Sequence, residues 1–217
     1  VQVYKSIRLQ YIKDMYMDFL FYNATYHQEV WGANYIKFAF GFVDEDNIPE
    51  LFLCQDFSHA SGVKIYSYDH KQKAISYLGE ISSFGNLSYY EKQNLMVAQY
   101  GGMGYWIHVF EEIQDDGKLH ILAIEGTDEG AVGETNAKYY WAFPYLYPED
   151  SDWLFENNDQ YLISKEKQQQ RLNDFLSEYT SEQIVIDYDE MLEITKANVT
   201  SEYERIIASH PLQERIK

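Results

Sequence analysis

The sequence predicts an α+β fold: an N-terminal amphipathic helix packed on a curved, mainly antiparallel β-sheet of about seven to nine strands, with C-terminal helices. Three observations carry this expectation. Apolar residues recur at helical spacing in the first stretch, short aromatic-rich runs joined by turn residues fill the middle, and the composition becomes helical again after Pro148. No alternation of strands and helices points to a parallel sheet. The expected layout is a single domain over 1–217, with 1–30 as helix and loop, 31–147 as a β-rich core and 148–217 as a helical part.

From Tyr4 to Leu20 the apolar residues fall at 4, 7, 11, 12, 15, 16, 19 and 20, one face of a helix, while Lys5, Arg8, Lys13, Asp14 and Asp18 fill the other. A polar loop is expected from Asn23 to Glu29. "YIKFAFGFV" and "ELFLCQDF" then read as strands around the acidic turn Asp44–Pro49. "GVKIYSYD", the polar "DHKQK" and "AISYLGEI" make a hairpin. "NLMVAQYGGMGYWIHVFEEI" holds two strands around a Gly-rich bend, and the Asp116-Gly117 pair turns the chain tightly into "LHILAIEG". After the polar loop "TDEGAVGETN", "AKYYWAF" is the last clear strand. "SKEKQQQRLNDFLSEY" reads as a helix capped by Ser164, with Leu172, Phe175, Leu176 and Tyr179 on one side, and the chain closes with one or two more helices over "YDEMLEITKANVTSEYERIIASH".

A chain of 217 residues buries a substantial interior without staples. Its 21 Tyr, 12 Phe and 4 Trp predict an aromatic core with hydroxyls at the edge. The formal net charge of -18 repels polyanions, so nucleic acid is excluded as a partner. No apolar run approaches the roughly 18 residues needed to cross a bilayer, so no transmembrane segment is expected. The chain opens on Val1 and reads as a processed fragment separated from a signal or anchor segment. Cys54, inside an apolar strand, reads as an inert core thiol. Asn-X-Ser/Thr triplets begin at Asn23, Asn86 and Asn198, and matter only in a glycosylating host.

The stretch most open to chemistry is "FGFVDEDNIPELFL", Phe40 to Leu53. In a calcium loop, acids at alternate positions converge on the ion, a turn residue follows, and a later acid closes the shell. Asp44, Asp46 and Glu50 fit such positions, with Asn47 at the turn, where it is expected in the left-handed region. The first ligand position falls on Phe42, which has no side-chain oxygen, so the reading here is an acidic turn anchored by Ile48 and Leu51, with no cofactor and calcium as the alternative.

A glycosidase needs two carboxylates across a cleft, and Glu111, Glu112 and Glu125 are the sequence's best supply. The six His lack zinc spacing; His108 and His120 could meet across the Asp116-Gly117 hairpin as a solvated pair. Nucleophile elbows and phosphate loops are absent. Aromatics beside Gly-containing loops suit a glycan or peptide groove, because ring faces stack on sugars and acids accept hydroxyl protons. The candidates are Tyr105, Trp106, Tyr139, Tyr140 and Trp141, each weighed against a place in the core.

"FAFGFVDEDNIPELFL" resembles the "D-x-[ND]-x-D-G-I-P-E-L" segment of many uncharacterised secreted or lipid-anchored proteins of Firmicutes. In that family the segment follows an amphipathic helix and precedes a Tyr-x-Tyr hairpin, which "GVKIYSYD" and "YLGEI" resemble; "GGMGYW" and "YLISKEKQQQRLNDFL" resemble its later parts in order. Phe42 and Asn47 depart from the pattern. The resemblance implies an extracytoplasmic domain of unknown activity, extracellular or anchored at the cell surface. The expected function is binding of a glycan, peptide or other surface ligand, rather than catalysis. The alternatives are an acidic partner of a basic protein, of the immunity type, and a polysaccharide hydrolase using paired carboxylates.

Overall fold

The computed structural model describes residues 2–31, 36–55, 62–81, 86–102, 104–129, 137–142 and 161–210. Helix α1 spans Gln2–Trp31 and continues through the stretch expected as a polar loop. That stretch contains no Gly or Pro to stop a helix, and the Asn23 side-chain amide donates back to the Phe19 carbonyl at 2.9 Å.

The strands form two antiparallel sheets rather than one. The first comprises β1 (Lys37–Gly41), β2 (Glu50–Cys54), β3 (Val63–Asp69), β4 (Ala74–Ile81) and the short β12 (Leu192–Glu193), in the order β12-β1-β2-β3-β4. The second comprises β5 (Leu87–Tyr90), β6 (Leu95–Gly102), β7 (Tyr105–Ile113), β8 (Leu119–Asp128), β9 (Lys138–Ala142), β10 (Leu162–Ile163) and β11 (Gln183–Ile186), in the order β10-β9-β8-β7-β6-β5-β11. Helices α2 (Lys165–Leu176) and α3 (Lys196–Ser209) complete the described elements, with a single 3₁₀ turn at Tyr188–Glu190. Only α3 is an α-helix in the stretch expected to close the chain with one or two.

The reason for two sheets is visible in the first. "KFAFG" and "ELFLC" are apolar on both faces, as strands covered on both sides must be. Phe38, Phe40, Leu51 and Leu53 face one way and pack with Ile12, Tyr16, Leu20 and Ala24 of α1 and Val199, Tyr203 and Ile206 of α3. Ala39, Phe52 and Cys54 face the other way, into a core shared with Leu87, Tyr89, Met96, Ala98, Ile107, Val109 and Ile124 of the second sheet. The outer face of the second sheet carries Leu95, Val97, Phe110, Ala123 and Trp141, covered by Leu172, Phe175 and Leu176 of α2. The layers are therefore α1 with α3, five strands, seven strands, and α2. The apolar stripe of α1 is covered as expected, and Cys54 is buried.

Local signals hold each element. The Ser164 hydroxyl caps α2 by accepting from the Lys167 N–H, and the Thr195 hydroxyl caps α3 by accepting from the Asn198 N–H. Gly117 takes φ +71° at the β7–β8 turn, where its N–H donates to the Gln114 carbonyl at 2.8 Å. Lys13 of α1 reaches Glu204 of α3 at 2.8 Å and ties the two helices together.

Candidate functional site

The β1–β2 loop lies where the first sheet meets the β5–β6 turn of the second. The Lys92 N–H donates to the Phe42 carbonyl at 2.9 Å and the Asn94 N–H to the Val43 carbonyl at 2.8 Å. Lys92 and Asn94 both sit in the left-handed region, with φ of 56° and 53°. The Phe42 ring is buried under the Lys92 ammonium at 4.6 Å and the His210 ring at 5.0 Å.

Inside the loop, Asp44 Oδ1 accepts from the Asp46 N–H at 2.8 Å, and Asp46 Oδ1 accepts from the Ile48 N–H at 2.6 Å. These two successive turns reverse the chain with Asn47 outside the left-handed region, contrary to the expectation for that residue. Ile48 and Leu51 are buried and anchor the loop, and the Tyr16 hydroxyl donates to the Pro49 carbonyl at 2.9 Å.

Glu50, the first residue of β2, is 0% exposed. Its Oε2 accepts from the Val43 N–H at 2.9 Å and its Oε1 from the Ser67 hydroxyl at 3.1 Å. Asp44, Asp46 and Glu50 each turn an oxygen inward, and these oxygens lie within 4.8 Å of one another. Burial, then the charges of Asp44 and Asp46, pushes the Glu50 carboxyl well above its usual range. Asp46 is pushed up to about 6 by burial and then by Asp44, and Asp44 is raised by burial. An open depression of about 360 Å³, lined by Asp44, Glu45, Asp46, Gln93 and Asn94, leads to the cluster.

The aromatic candidates divide by strand alternation. Tyr105 and Trp106 are both exposed but face opposite sides of the second sheet. On the outer face, Trp106 sits opposite Thr127 and Thr127 opposite Tyr139, one row across β7, β8 and β9. Tyr139 is half-buried, with the Lys165 ammonium 5.8 Å from its ring centroid. Trp141 lies one row further in and is buried against Phe110 and Phe175, while Tyr140 is buried in the core between the sheets. Tyr140 and Trp141 therefore line no groove, because α2 and the facing sheet cover them.

The carboxylate candidates are not brought together. Glu111 faces the inter-sheet core beside Met96 and Ile121, Glu112 faces outward, and Glu125 lies outward on β8. Glu125 is opposite His108, four residues along β7 from Glu112, which separates the two acids by about 13 Å. That exceeds the roughly 5–10 Å a glycosidase pair spans, and the Phe110 and Ala123 row lies between them. His108 and His120 do not meet either: His108 Nδ1 bonds Glu125 Oε2 at 2.6 Å, and His120 Nε2 bonds Asp116 Oδ2 at 2.8 Å.

The His108–Glu125 pair escaped the sequence reading. Counting back from the Asp116-Gly117 turn puts Ile124 opposite His108; the register shift after Phe110, where Leu122 is the extra residue, moves Glu125 into place. Most of the polar loop expected between Thr127 and Asn136 lies outside the described residues. No helix among the described residues is long and apolar enough to cross a membrane. No family model, curated protein or solved structure matches the chain.

Proposed function

We propose that the chain is an extracytoplasmic, cell-surface binding domain and that its ligand is a glycan laid along the Trp106–Thr127–Tyr139 row. One observation carries this reading: Trp106 stands 42% exposed on the outer sheet face, one row beyond the buried Trp141 and beside the His108–Glu125 pair. The indole face offers a stacking platform for the apolar side of a sugar ring. Tyr139 stands two strands away, about 10 Å, comparable to the span of two linked hexoses. Thr127, His108 and Glu125 offer hydroxyl, imidazole and carboxylate groups to sugar hydroxyls between them. The net charge of -18 favours a neutral or cationic glycan over an acidic one. The resemblance of the Ile48–Leu51 segment to secreted and lipid-anchored proteins supports the extracytoplasmic setting.

Retention of the full chain on insoluble cellulose, chitin and peptidoglycan tests the reading. Trp106→Ala should weaken retention by about tenfold or more and Tyr139→Ala by less, since a few stacked aromatics dominate such affinities. Tyr105→Ala, on the opposite face, should leave it unchanged. Retention indifferent to Trp106, or release of soluble sugar by the wild-type chain, would overturn it. Salt-sensitive association with a basic protein and no retention on any polysaccharide would favour the acidic-partner alternative.

A further inference from the structure

Among the described residues, no cation forms an ion pair with the acidic loop. Glu50 is completely buried, and a buried carboxylate that stays ionised is ordinarily paired with a cation or coordinates a metal. Its nearest charged neighbours are instead Asp44 and Asp46. None of the three takes part in an ion pair among the described residues. Lys92, whose charge acts on Asp44 and Asp46, directs its ammonium to Asn47 Oδ1 at 3.4 Å and to the face of Phe42. Arg8 is engaged with His70.

A second observation, on a different element, points to the same place. Tyr203 of α3 is 3% exposed, and its hydroxyl has no hydrogen-bond partner among the described residues. Its ring packs edge-on to Phe40 at 5.4 Å and against Tyr16 at 6.3 Å, under the loop. The charge acting on the Tyr203 hydroxyl is that of Asp46. An orphaned buried oxygen thus lies beside Tyr16, whose own hydroxyl bonds the loop at Pro49, within reach of the Asp46 charge.

We propose that Asp44, Asp46 and Glu50 bind one calcium ion at the seam between the two sheets. The spacing fits this ion. Oxygens on opposite sides of a calcium at 2.3–2.6 Å lie roughly 4.6–5.2 Å apart, and the three carboxylate oxygens fall within 4.8 Å of one another. Magnesium draws its shell tighter, to about 2.0–2.1 Å in a strict octahedron, and gives up water reluctantly. Asp44 Oδ1, Asp46 Oδ1 and both Glu50 oxygens accept bonds from the protein and still have lone pairs to offer. Gln93 and Asn94 are held by Thr180, Ser181 and Ile113, so the remaining positions fall to water entering through the open depression. One such water gives the Tyr203 hydroxyl its missing partner. The bound ion ties the β1–β2 loop to the start of β2 and removes the repulsion among the three acids.

The test uses the full chain after chelator treatment, titrated with calcium chloride alone in a calorimeter and melted in calcium, magnesium or EDTA at pH 7. The expected result is one calcium per chain, weaker magnesium binding, and a melting temperature raised by several degrees in calcium. Asp46→Asn and Asp44→Asn should each lower calcium affinity at least tenfold, while Asp174→Asn, an exposed acid on α2 in the far layer of the fold, should leave it unchanged. Tyr203→Phe should melt like wild type in EDTA and gain less from calcium. No heat and no melting shift at millimolar calcium would overturn the proposal, as would wild-type affinity in Asp46→Asn. The wild-type titration decides by itself if any variant fails to fold.

Discussion

Glu111 should make the fold less stable as the pH rises through neutrality. It is 9% exposed on the inner face of β7, its Oε2 has no hydrogen-bond partner among the described residues, and burial pushes its carboxyl up to about 7. In the unfolded chain the same group titrates near 4.5. The folded state therefore binds the extra proton between these values, and the stability linked to Glu111 is complete below about 4.5 and lost as the pH rises through about 7. At about 1.4 kcal/mol for each tenfold change, the difference approaches 3 kcal/mol by pH 8. Glu111→Gln has nearly the shape of the protonated acid and cannot ionise. Urea midpoints from pH 4 to 8.5 should match between the two proteins near pH 4, diverge steadily between about 4.5 and 7 and stay apart above that, with the variant the more stable by up to about 3 kcal/mol. Parallel pH profiles would refute the reasoning, since they would mean that Glu111 is solvated or paired in the folded protein.

Two further substitutions probe the contacts that hold the layers together. A Cβ at Gly41 would run into the Tyr89 hydroxyl and the Phe52 ring, so Gly41→Ala should cost about 1–3 kcal/mol in thermal or urea unfolding, and adding Tyr89→Phe should recover part of it. Gln168 is buried and donates to the Gly126 carbonyl at 2.7 Å and the Tyr140 carbonyl at 3.2 Å, pinning α2 to β8 and β9; Gln168→Ala should cost about 1–3 kcal/mol and raise amide exchange in α2 before the rest of the sheet, whereas uniform exchange would refute the pinning role.

Much of the architecture is legible in periodicity and turn chemistry. The α1 stripe, the β3–β4 hairpin, the Asp116-Gly117 turn and the Ser164 cap all appear where short-range rules place them. The elements that escaped are those whose evidence is not local. β10 and β12 are two residues long and exist because a neighbouring strand offers them an edge. β11 carries only the three-residue apolar run Ile184–Ile186, with Val185 exposed, and is held by pairing with β5. The second sheet was legible in principle, because β1 and β2 are apolar on both faces and a single sheet under one helix would leave half of those residues wet.

The aromatic candidates show the same division. Alternation alone separates Tyr105 from Trp106 and Tyr140 from its two neighbours, which forbids one groove lined by all five. On the outer face, Phe175 of α2 packs on Phe110 and Trp141 and covers them, whereas Trp106, in the next row beyond His108 and Trp141, stays exposed. The contacts of a helix far along the chain thus separate covered from exposed aromatics on the same sheet face.

The acidic loop illustrates a different limit, that of counting ligands along a chain. A linear calcium template asks for an acid at Phe42 and finds a ring, yet Phe42 is needed in the core, where Lys92 and His210 pack on it. The third carboxylate comes instead from the start of β2. Glu50 points back under the loop because the Val43 N–H and the Ser67 hydroxyl, on the loop and on β3, hold its two oxygens. With Asp44 and Asp46 fixed by their own turns, three acids converge without any contribution from the first template position. An ion bound there would have its affinity set by burial and by the cost of bringing three negative charges together, both of which depend on how the two sheets meet. For that reason Tyr203, more than a hundred residues downstream on α3, belongs to the same test as Asp46.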